Sequence, residues 1–467
     1  MFGLMLIRAR SAVRQGVLPL GLLSLAAYAR RELDCQVGVV DGLVEQLDPG
    51  AVAARVRAFS PKVIGIGAMG SDAAEATALA RRLGPLAPWL VLGGPHPSAA
   101  PVAMLEASGA DFAVIGEGEL PFTELVRALQ EGDLEAARGI AGVAWRDEQG
   151  RVRLNPAGEL VEDLDRLPLP AFDLIDIERY FRGPLHPQVS GFRGSSRPLA
   201  YLSSRGCPYS CLNCHRLFGS RFRAHSPERV ASDLDELERR YGITEFEIVD
   251  DVFNLDRKRV LRICELLSGG RLTPLSFSNG LRADHLDGEL VEALISAGTY
   301  RFCFGIESAV DEVRQRLRKR LDLDDVVEAV DNVTRRGALA GGYFMLGLPG
   351  ETEPQARQTI EFAVHSRLHQ ASFHFCTPFP GTGLAELAEV GGRSPVSAPI
   401  RFDRSSTNLS RIPDDRLRRL RREAYVRFYT RPTRILRVLR DAPRLGPLLD
   451  AGGVMLRYLI LRRDLYT

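Results

Sequence analysis

The sequence predicts an α/β protein in which two sheet-containing regions follow one another. Two observations carry this prediction. Short apolar runs alternate with amphipathic helical stretches over residues 1–140 and again over residues 200–385, and glycine or polar residues follow most of these runs. Near-continuous apolar strands joined by helices are typical of parallel sheets, whose ligands bind at the carboxyl ends of the strands. At 467 residues the chain is long enough for two or three domains.

Residues 1–140 are predicted to form a doubly wound, Rossmann-like sheet. The expected strands are the apolar runs at residues 4–7, 37–40, 63–67, 90–93 and 112–115. A dinucleotide site would require the pattern G-x-G-x-x-G after the first strand. Here that strand is followed by Arg8-Ala9-Arg10, which argues against a nicotinamide or flavin cofactor.

Residues 200–385 are predicted to form a partial or full (β/α) barrel with its site at the carboxyl ends of the strands. The expected strands lie at residues 200–203, 245–249, 275–279, 301–306, 342–346 and 372–377. Residues 141–199 are interpreted as a linker that contains a β-hairpin. Residues 386–467 are interpreted as an arginine-rich helical extension with a solvated face that closes the barrel mouth. The alternatives are binding of nucleic acid and peripheral membrane contact.

The composition restricts the class of protein further. The formal net charge is +2, so nothing in the overall charge points to nucleic acid. Seven cysteines, three of them within eight residues, argue against a disulfide framework and favour a reducing, cytoplasmic location. The first residues have no basic stretch before their apolar run and are interpreted as a strand rather than a signal peptide. No stretch reaches the roughly 20 apolar residues of a membrane span.

The strongest motif lies directly after the first strand of the second region. Cys207, Cys211 and Cys214 follow one another there, and Gly206 and Pro208 place them on a loop. Three thiolates suit an iron–sulfur cluster that keeps one iron open to another ligand. The alternative is a zinc site with His215 as the fourth ligand.

The C-x-x-x-C-x-x-C spacing resembles the signature of the radical S-adenosylmethionine (SAM) family. The resemblance implies a 4Fe–4S cluster held by the three thiolates, with the amino and carboxylate groups of SAM on the fourth iron. The sequence departs from the family at the residue before the last cysteine. That residue is usually aromatic and lies near the SAM adenine, whereas here it is Asn213.

The resemblance also implies a SAM site at the ends of the later strands. Asp250 and Asp251 stand where the family binds the SAM amino group. Glu307 and Arg282 would contact the ribose or the methionyl carboxylate, and the loop from Gly347 to Glu351 would border the adenine. The residues predicted to bind SAM are Asp250, Asp251, Asn279, Arg282, Glu307, Gly347, Pro349, Gly350 and Glu351. The alternative for single residues is structural, with Asp250 as a helix cap and Glu307 in an ion pair.

The loops of the first region resemble the cobalamin-binding domain that precedes the radical SAM core in one large subfamily. The resemblance implies a cobalamin site made by Ser71, Gly93, Gly94, Pro95, His96, Gly116, Glu117, Gly118 and Glu119. The D-x-H-x-x-G motif that supplies a cobalt-binding histidine elsewhere is absent, so His96 is expected to line the pocket. The alternative is that these turns are plain strand–helix connections.

Together the resemblances imply a cobalamin-dependent radical SAM methyltransferase. Such an enzyme would cleave SAM to a 5′-deoxyadenosyl radical and methylate an unactivated carbon of a small-molecule or lipid-like substrate. An external donor such as a flavodoxin or ferredoxin would supply electrons. Two alternatives stay open: a non-methylating cyclase or oxidase with the same cofactors, and a metal-stabilised protein that binds nucleic acid through its basic tail. A methylthiotransferase would usually need further N-terminal cysteines for a second cluster. Only Cys35 precedes the motif here, so this class of enzyme is disfavoured.

Overall fold

The computed structural model describes residues 2–11, 18–182, 197–269, 273–392 and 407–442. Its first region is a seven-stranded sheet with the order β2-β1-β3-β4-β5-β6-β7. Strands β1 to β5 are parallel, and β6 and β7 continue the sheet in antiparallel fashion. The strands are β1 Phe2–Arg8, β2 Cys35–Asp41, β3 Val63–Gly67, β4 Trp89–Gly93, β5 Phe112–Val114, β6 Val143–Arg146 and β7 Val152–Leu154. The helices are α1 Leu20–Glu32, α2 Pro49–Phe59, α3 Ala73–Leu83, α4 Pro95–Ala99, α5 Pro101–Ser108, α6 Glu119–Glu131 and α7 Leu134–Gly139.

The second region is a six-stranded parallel sheet with the order β15-β14-β13-β12-β11-β8. Its strands are β8 Pro198–Tyr201, β11 Glu245–Ile248, β12 Leu275–Leu281, β13 Thr299–Glu307, β14 Leu339–Leu346 and β15 Gln370–Phe375. A two-stranded ribbon, β9 Ser204–Arg205 and β10 Arg223–Ala224, stands beside it. The helices are α8 Glu178–Arg182, α9 Pro227–Tyr241, α10 Arg257–Ser268, α11 Gly288–Ser296, α12 Asp311–Arg316, α13 Leu323–Arg335, α14 Glu353–His365, α15 Gly383–Val390, α16 Asp414–Tyr429 and α17 Pro432–Asp441. Among the residues described, β8 and β15 are the two edges of an open barrel, and the predicted fold class is confirmed.

Local sequence explains where these elements begin and end. Helix α9 begins after Ser226, whose side chain accepts a hydrogen bond from the amide of Arg229, and Pro227 occupies its first turn. It ends at Gly242, whose φ of 62° is the left-handed conformation that glycine adopts without strain. The helix thereby returns the chain to the start of β11.

The two regions share hydrophobic packing. The largest core cluster fills the space between the barrel strands and their helices, and it also contains Leu18, Leu23 and Val44 of the first region. The linker residues Phe172 and Tyr180 belong to the same cluster. Burying one continuous apolar surface stabilises the two regions against each other.

Two features differ from the sequence-based expectations. The predicted hairpin is present as β6 and β7, but β6 pairs with β5, so the first sheet extends past residue 140. The C-terminal helix α16, whose face was expected to be solvated, packs against β15 and α14. Its Tyr425 and Tyr429 hydroxyls accept hydrogen bonds from the amides of Phe373 and Ala371, at 3.0 and 3.1 Å. The helix therefore covers an edge strand.

None of the helices within the described ranges is long and apolar enough to cross a membrane. The apolar stretch 454–461, considered above for peripheral membrane contact, lies outside the described residues.

Candidate active site

The three cysteines lie on one excursion of the chain between β9 and β10. Cys207 is half-buried, Cys211 is buried and Cys214 is exposed. The loop is tied to the barrel because the amide of Leu212 donates to the carbonyl of Leu317 and its carbonyl accepts from the amide of Leu384, both at 3.0 Å. A hydrogen bond from Cys214, helped by the Lys319 ammonium, lowers the pKa of Cys211 to about 6. The thiolate, the form that binds iron, is thus favoured at Cys211. Burial raises the pKa of Cys207, and the hydrogen bond to Cys211 raises that of Cys214.

The start of this loop requires a glycine. Gly206 has a φ of 82°, and a Cβ at this position would lie 2.2 Å from the carbonyl oxygen of Arg221. The amide of Gly206 donates to Asp251 at 3.0 Å. Only glycine combines this conformation with so close an approach of backbone.

The donor set fits a cluster better than a single metal ion. Within the described ranges, no three His, Cys, Asp or Glu side chains converge on one ion. His215, the fourth ligand of the zinc alternative, packs against Phe379 with ring centroids 5.9 Å apart. A 4Fe–4S cluster binds each thiolate to a different iron, so its ligands need not converge on a point.

The two aspartates after β11 occupy different environments. Asp250 is buried and accepts hydrogen bonds from the amide and hydroxyl of Ser203 and from the hydroxyl of Ser204, all at 2.6 Å. Asp251 is exposed beside the cysteine loop. Asp250 therefore holds the end of β8 in place, and Asp251 is the one of the two that faces the rim.

The remaining predicted SAM residues lie along the same rim. The guanidinium of Arg282 stacks on the Tyr209 ring at 3.7 Å from its centroid and pairs with Asp284. Glu307 has a φ of 66° and lies 3.6 Å from the Lys319 ammonium. Asn279 donates to the carbonyl of Asp250 at 2.9 Å.

The glycine loop after β14 is held from below by a buried carboxyl. Glu351 accepts hydrogen bonds from the amides of Gly347 and Leu348, at 2.7 and 3.2 Å. Burial raises the pKa of Glu351 to about 7. Gly347 and Gly350, with φ of 85° and 66°, shape the loop around Pro349. Glu351 therefore supports the loop, while Gly347 to Gly350 form its edge.

A cavity of about 410 Å³ lies between the two regions, at the carboxyl ends of the first sheet. Of the predicted cobalamin residues it is lined by Gly93, Gly94, Pro95, Gly116, Glu117, Gly118 and Glu119, but not by Ser71 or His96. A Cβ on Gly94, whose φ is 97°, would lie 2.9 Å from the carbonyl oxygen of Ala68. The neighbouring backbone therefore requires Gly94, whereas a Cβ on Gly93 would meet no protein atom within 4 Å. Gly93 thus leaves room for a large ligand close to the backbone, which suits cobalamin.

His96 lies at the junction instead of in this cavity. It is close to His215 of the cysteine loop, and burial lowers the pKa of both rings. The first region also approaches the cysteine loop through its backbone, since a Cβ on Gly116 would lie 3.7 Å from the carbonyl oxygen of Leu217.

Several lining residues were not predicted from the sequence. Arg8 and Asp72 of the first region and Arg205 of the second all line the cavity. Arg8 is the last residue of β1, so the rule that polar residues at strand ends mark a site would have found it. No sequence motif marks Arg205 and Arg223 as neighbours, because the pairing of β9 with β10 brings them together.

Comparisons with known proteins agree with this arrangement. Residues 201–363 match the radical SAM superfamily, and residues 9–126 match the B12 binding domain. An uncharacterized methyltransferase of Pyrococcus horikoshii is 33% identical over 89% of this chain and 88% of that protein. The chain therefore belongs to the cobalamin-binding radical SAM family. Its cofactors are a 4Fe–4S cluster, SAM and cobalamin, and enzymes of this family generally act on small molecules and use an external reductant.

Other similar proteins include a cyclase and a methyltransferase. An anaerobic magnesium-protoporphyrin IX monomethyl ester cyclase of Rubrivivax gelatinosus is 25% identical over 86% of this chain and 74% of its own length. Among solved structures, the radical SAM methyltransferase TsrM of Kitasatospora setae, with cobalamin and a [4Fe-4S] cluster bound, has a TM-score of 0.69 at 20% identity. The superposition covers 84% of this chain and 75% of the TsrM chain, which shows a shared fold.

Proposed function

We propose that this enzyme is a methyltransferase that places a methyl group on an unactivated carbon of a small-molecule or lipid-like substrate. The observation that carries the proposal is the junction itself. A Cβ on Gly116 of the first region would lie 3.7 Å from the carbonyl oxygen of Leu217 in the cysteine loop, and Arg205 contacts Glu117 across the same boundary. A substrate at this junction would be within reach of both cofactor sites.

The residues of this chain would have the following roles. The thiolates of Cys207, Cys211 and Cys214 would hold the cluster and leave one iron for SAM, with Asp251 and Glu307 beside it. When bound, the cofactors supply the one-electron and methyl-carrying chemistry, and the protein supplies position and exclusion of water. Asn213 lies where the family places an aromatic residue. Its amide nitrogen lies 3.7 Å from the Met345 sulfur, and its buried amide oxygen has no hydrogen-bond partner within the described ranges. That oxygen would offer the adenine a polar edge.

The proposal is tested with SAM that carries a deuterated methyl group. Anaerobically reconstituted enzyme, a reductant such as flavodoxin or ferredoxin, and a metabolite extract are incubated together. We expect 5′-deoxyadenosine and a product whose mass shows the deuterated methyl. The variant with Cys207→Ala, Cys211→Ala and Cys214→Ala is the control and should give neither. Formation of 5′-deoxyadenosine with no labelled product would refute methylation.

The second candidate is a non-methylating cyclase or oxidase with the same cofactors. The alignment with the Rubrivivax gelatinosus cyclase over most of this chain favours it specifically. It would appear in the same experiment as an unlabelled product that depends on SAM cleavage. Family membership favours either enzyme over the nucleic-acid-binding alternative. Cytoplasmic location and membrane contact through the C-terminal extension stay predictions.

A further inference from the structure

A buried network of four charged side chains joins the two regions. Glu117 and Glu119 come from the loop after β5 and the start of α6, and Arg205 and Arg223 come from β9 and β10. Arg205 donates to both carboxylates, at 2.7 Å for Glu119, and Arg223 donates to Glu117 at 2.8 Å. The four side chains are at most 7% exposed, and their charges balance.

The two arginines hold both ends of the cysteine loop. Arg205 and Arg223 are partners in the β9–β10 ladder, and the cysteines lie on the excursion between them. Arg205 is two residues before Cys207. A displacement of Glu117 relative to this ladder would therefore move the cysteine loop relative to the first sheet.

The network also orders the far side of the same loop. Arg223 donates to the carbonyl of Phe218 at 3.0 Å, and the Arg205 guanidinium lies 5.0 Å from the centroid of the Phe218 ring. The amide of Cys207 donates to the carbonyl of Gly219 at 3.4 Å. The arginines thus contact both the first region and the backbone that closes the loop.

We propose that Glu117, Glu119, Arg205 and Arg223 are positioning residues that set the distance between the cluster loop and the corrinoid domain. Arg205 bridges the two carboxylates and Glu117 bridges the two arginines. Such directional, charge-assisted hydrogen bonds fix both distance and orientation, unlike apolar packing, which can slide. Removing one partner of a buried pair leaves an uncompensated charge, so the geometry cannot relax without cost. This role rests on the presence of the two cofactors and not on methylation being the reaction.

The test measures the magnetic coupling between cob(II)alamin and the reduced cluster, both of which are paramagnetic, in the holoenzyme. No substrate is needed. We expect one well-defined coupling in the wild type. Glu117→Gln should keep the iron and cobalt contents of the wild type. Its single coupling should be replaced by a broad distribution of couplings. Arg205→Lys, which keeps the charge without the fork, should show a smaller broadening.

The matched control is Asp235→Asn, which removes one carboxylate from an exposed arginine pair with Arg239 on α9. It should leave the coupling unchanged. An unchanged coupling in Glu117→Gln would overturn the proposal. Loss of cobalt from this variant would also overturn it, because Glu117 would then be a corrinoid ligand. If Glu117→Gln does not fold, Glu119→Gln is measured instead, since it leaves the contacts of Glu117 intact.

Discussion

At the scale of single residues, the cysteine loop was predictable because cluster binding depends on local spacing. The roles of the two neighbouring aspartates were harder to predict. Asp250 and Asp251 are adjacent carboxylates after one strand, and the sequence gives no sign of which one turns inward. The hydroxyls of Ser203 and Ser204 decide this, and they follow the neighbouring strand β8, about 47 residues earlier in the chain. Contacts between distant segments therefore determine which carboxylate is buried, and motif spacing alone does not.

The two aspartates should respond differently to the same substitution. Asp250→Asn places an amide group among the donors of Ser203 and Ser204, so we expect a loss of about 2–3 kcal/mol in stability. Asp251→Asn should leave the unfolding midpoint unchanged but weaken SAM binding. Thermal unfolding and SAM titration of both variants check this. Equal loss of stability in both would contradict the assignment.

Glu247 makes stability depend on pH. Burial raises its pKa from the ordinary 4.5 to about 7, with Arg301 opposing the shift and Glu245 adding to it. Neither of its carboxylate oxygens has a hydrogen-bond partner within the described ranges. The unfolded chain releases this proton near pH 4.5 and the folded chain only near pH 7. Between these values the folded protein should lose stability as pH rises, by up to about 3 kcal/mol.

The variant Glu247→Gln isolates this effect. It should match the wild type near pH 4.5 and be more stable at pH 8. Unfolding midpoints of both proteins across that range provide the measurement. A constant difference between the two proteins at all pH values would show that Glu247 does not titrate in this window.

At the scale of elements, helix α16 shows what amphipathic pattern can and cannot predict. Its helical character follows from the sequence, but its arginines were expected to be solvated. Arg421 is instead buried and donates to the carbonyl of Phe373, while Arg416 and Arg427 pair with Glu353 and Glu361 of α14. An edge strand needs partners for its backbone, and this requirement is visible only once the barrel is found to be open.

The junction of α14, α16 and α17 depends on one arginine. Arg434 is buried, stacks on Phe428 at 3.4 Å from the ring centroid, and donates to five backbone carbonyls, those of Ala363, Val364, Ser366, Leu368 and Phe428. Arg434→Leu leaves these carbonyls without that donor. We expect a loss of about 3 kcal/mol or more in stability, and faster amide exchange in α17.

The control is Arg440→Leu, because Arg440 lies on the same helix and its side chain is 64% exposed, with Asp441 as its partner. It should change the unfolding midpoint little. If the two variants are equally stable, the C-terminal helices are held by apolar packing and not by Arg434.

At the scale of the whole molecule, the order of the two regions could be predicted but their contact could not. Each sheet follows from its own alternation of strands and helices. The cavity between them depends on Glu117 meeting Arg205, and these residues are 88 positions apart in the chain. Both glutamates were predicted as cobalamin residues, and the structure shows that their carboxylates bond the arginines of the other region. Single-sequence patterns do not report such long-range pairs.

The central claim is that one chain holds a SAM-cleaving cluster and a corrinoid face to face. Protein purified without oxygen and supplied with cobalamin tests it most directly, by metal content and by SAM cleavage on reduction. We predict about four irons and about one cobalt per chain, with 5′-deoxyadenosine formed. The triple alanine variant of Cys207, Cys211 and Cys214 should lose the iron and the cleavage but keep the cobalt. Protein that contains zinc instead of iron, or that leaves SAM intact when reduced, would contradict the account.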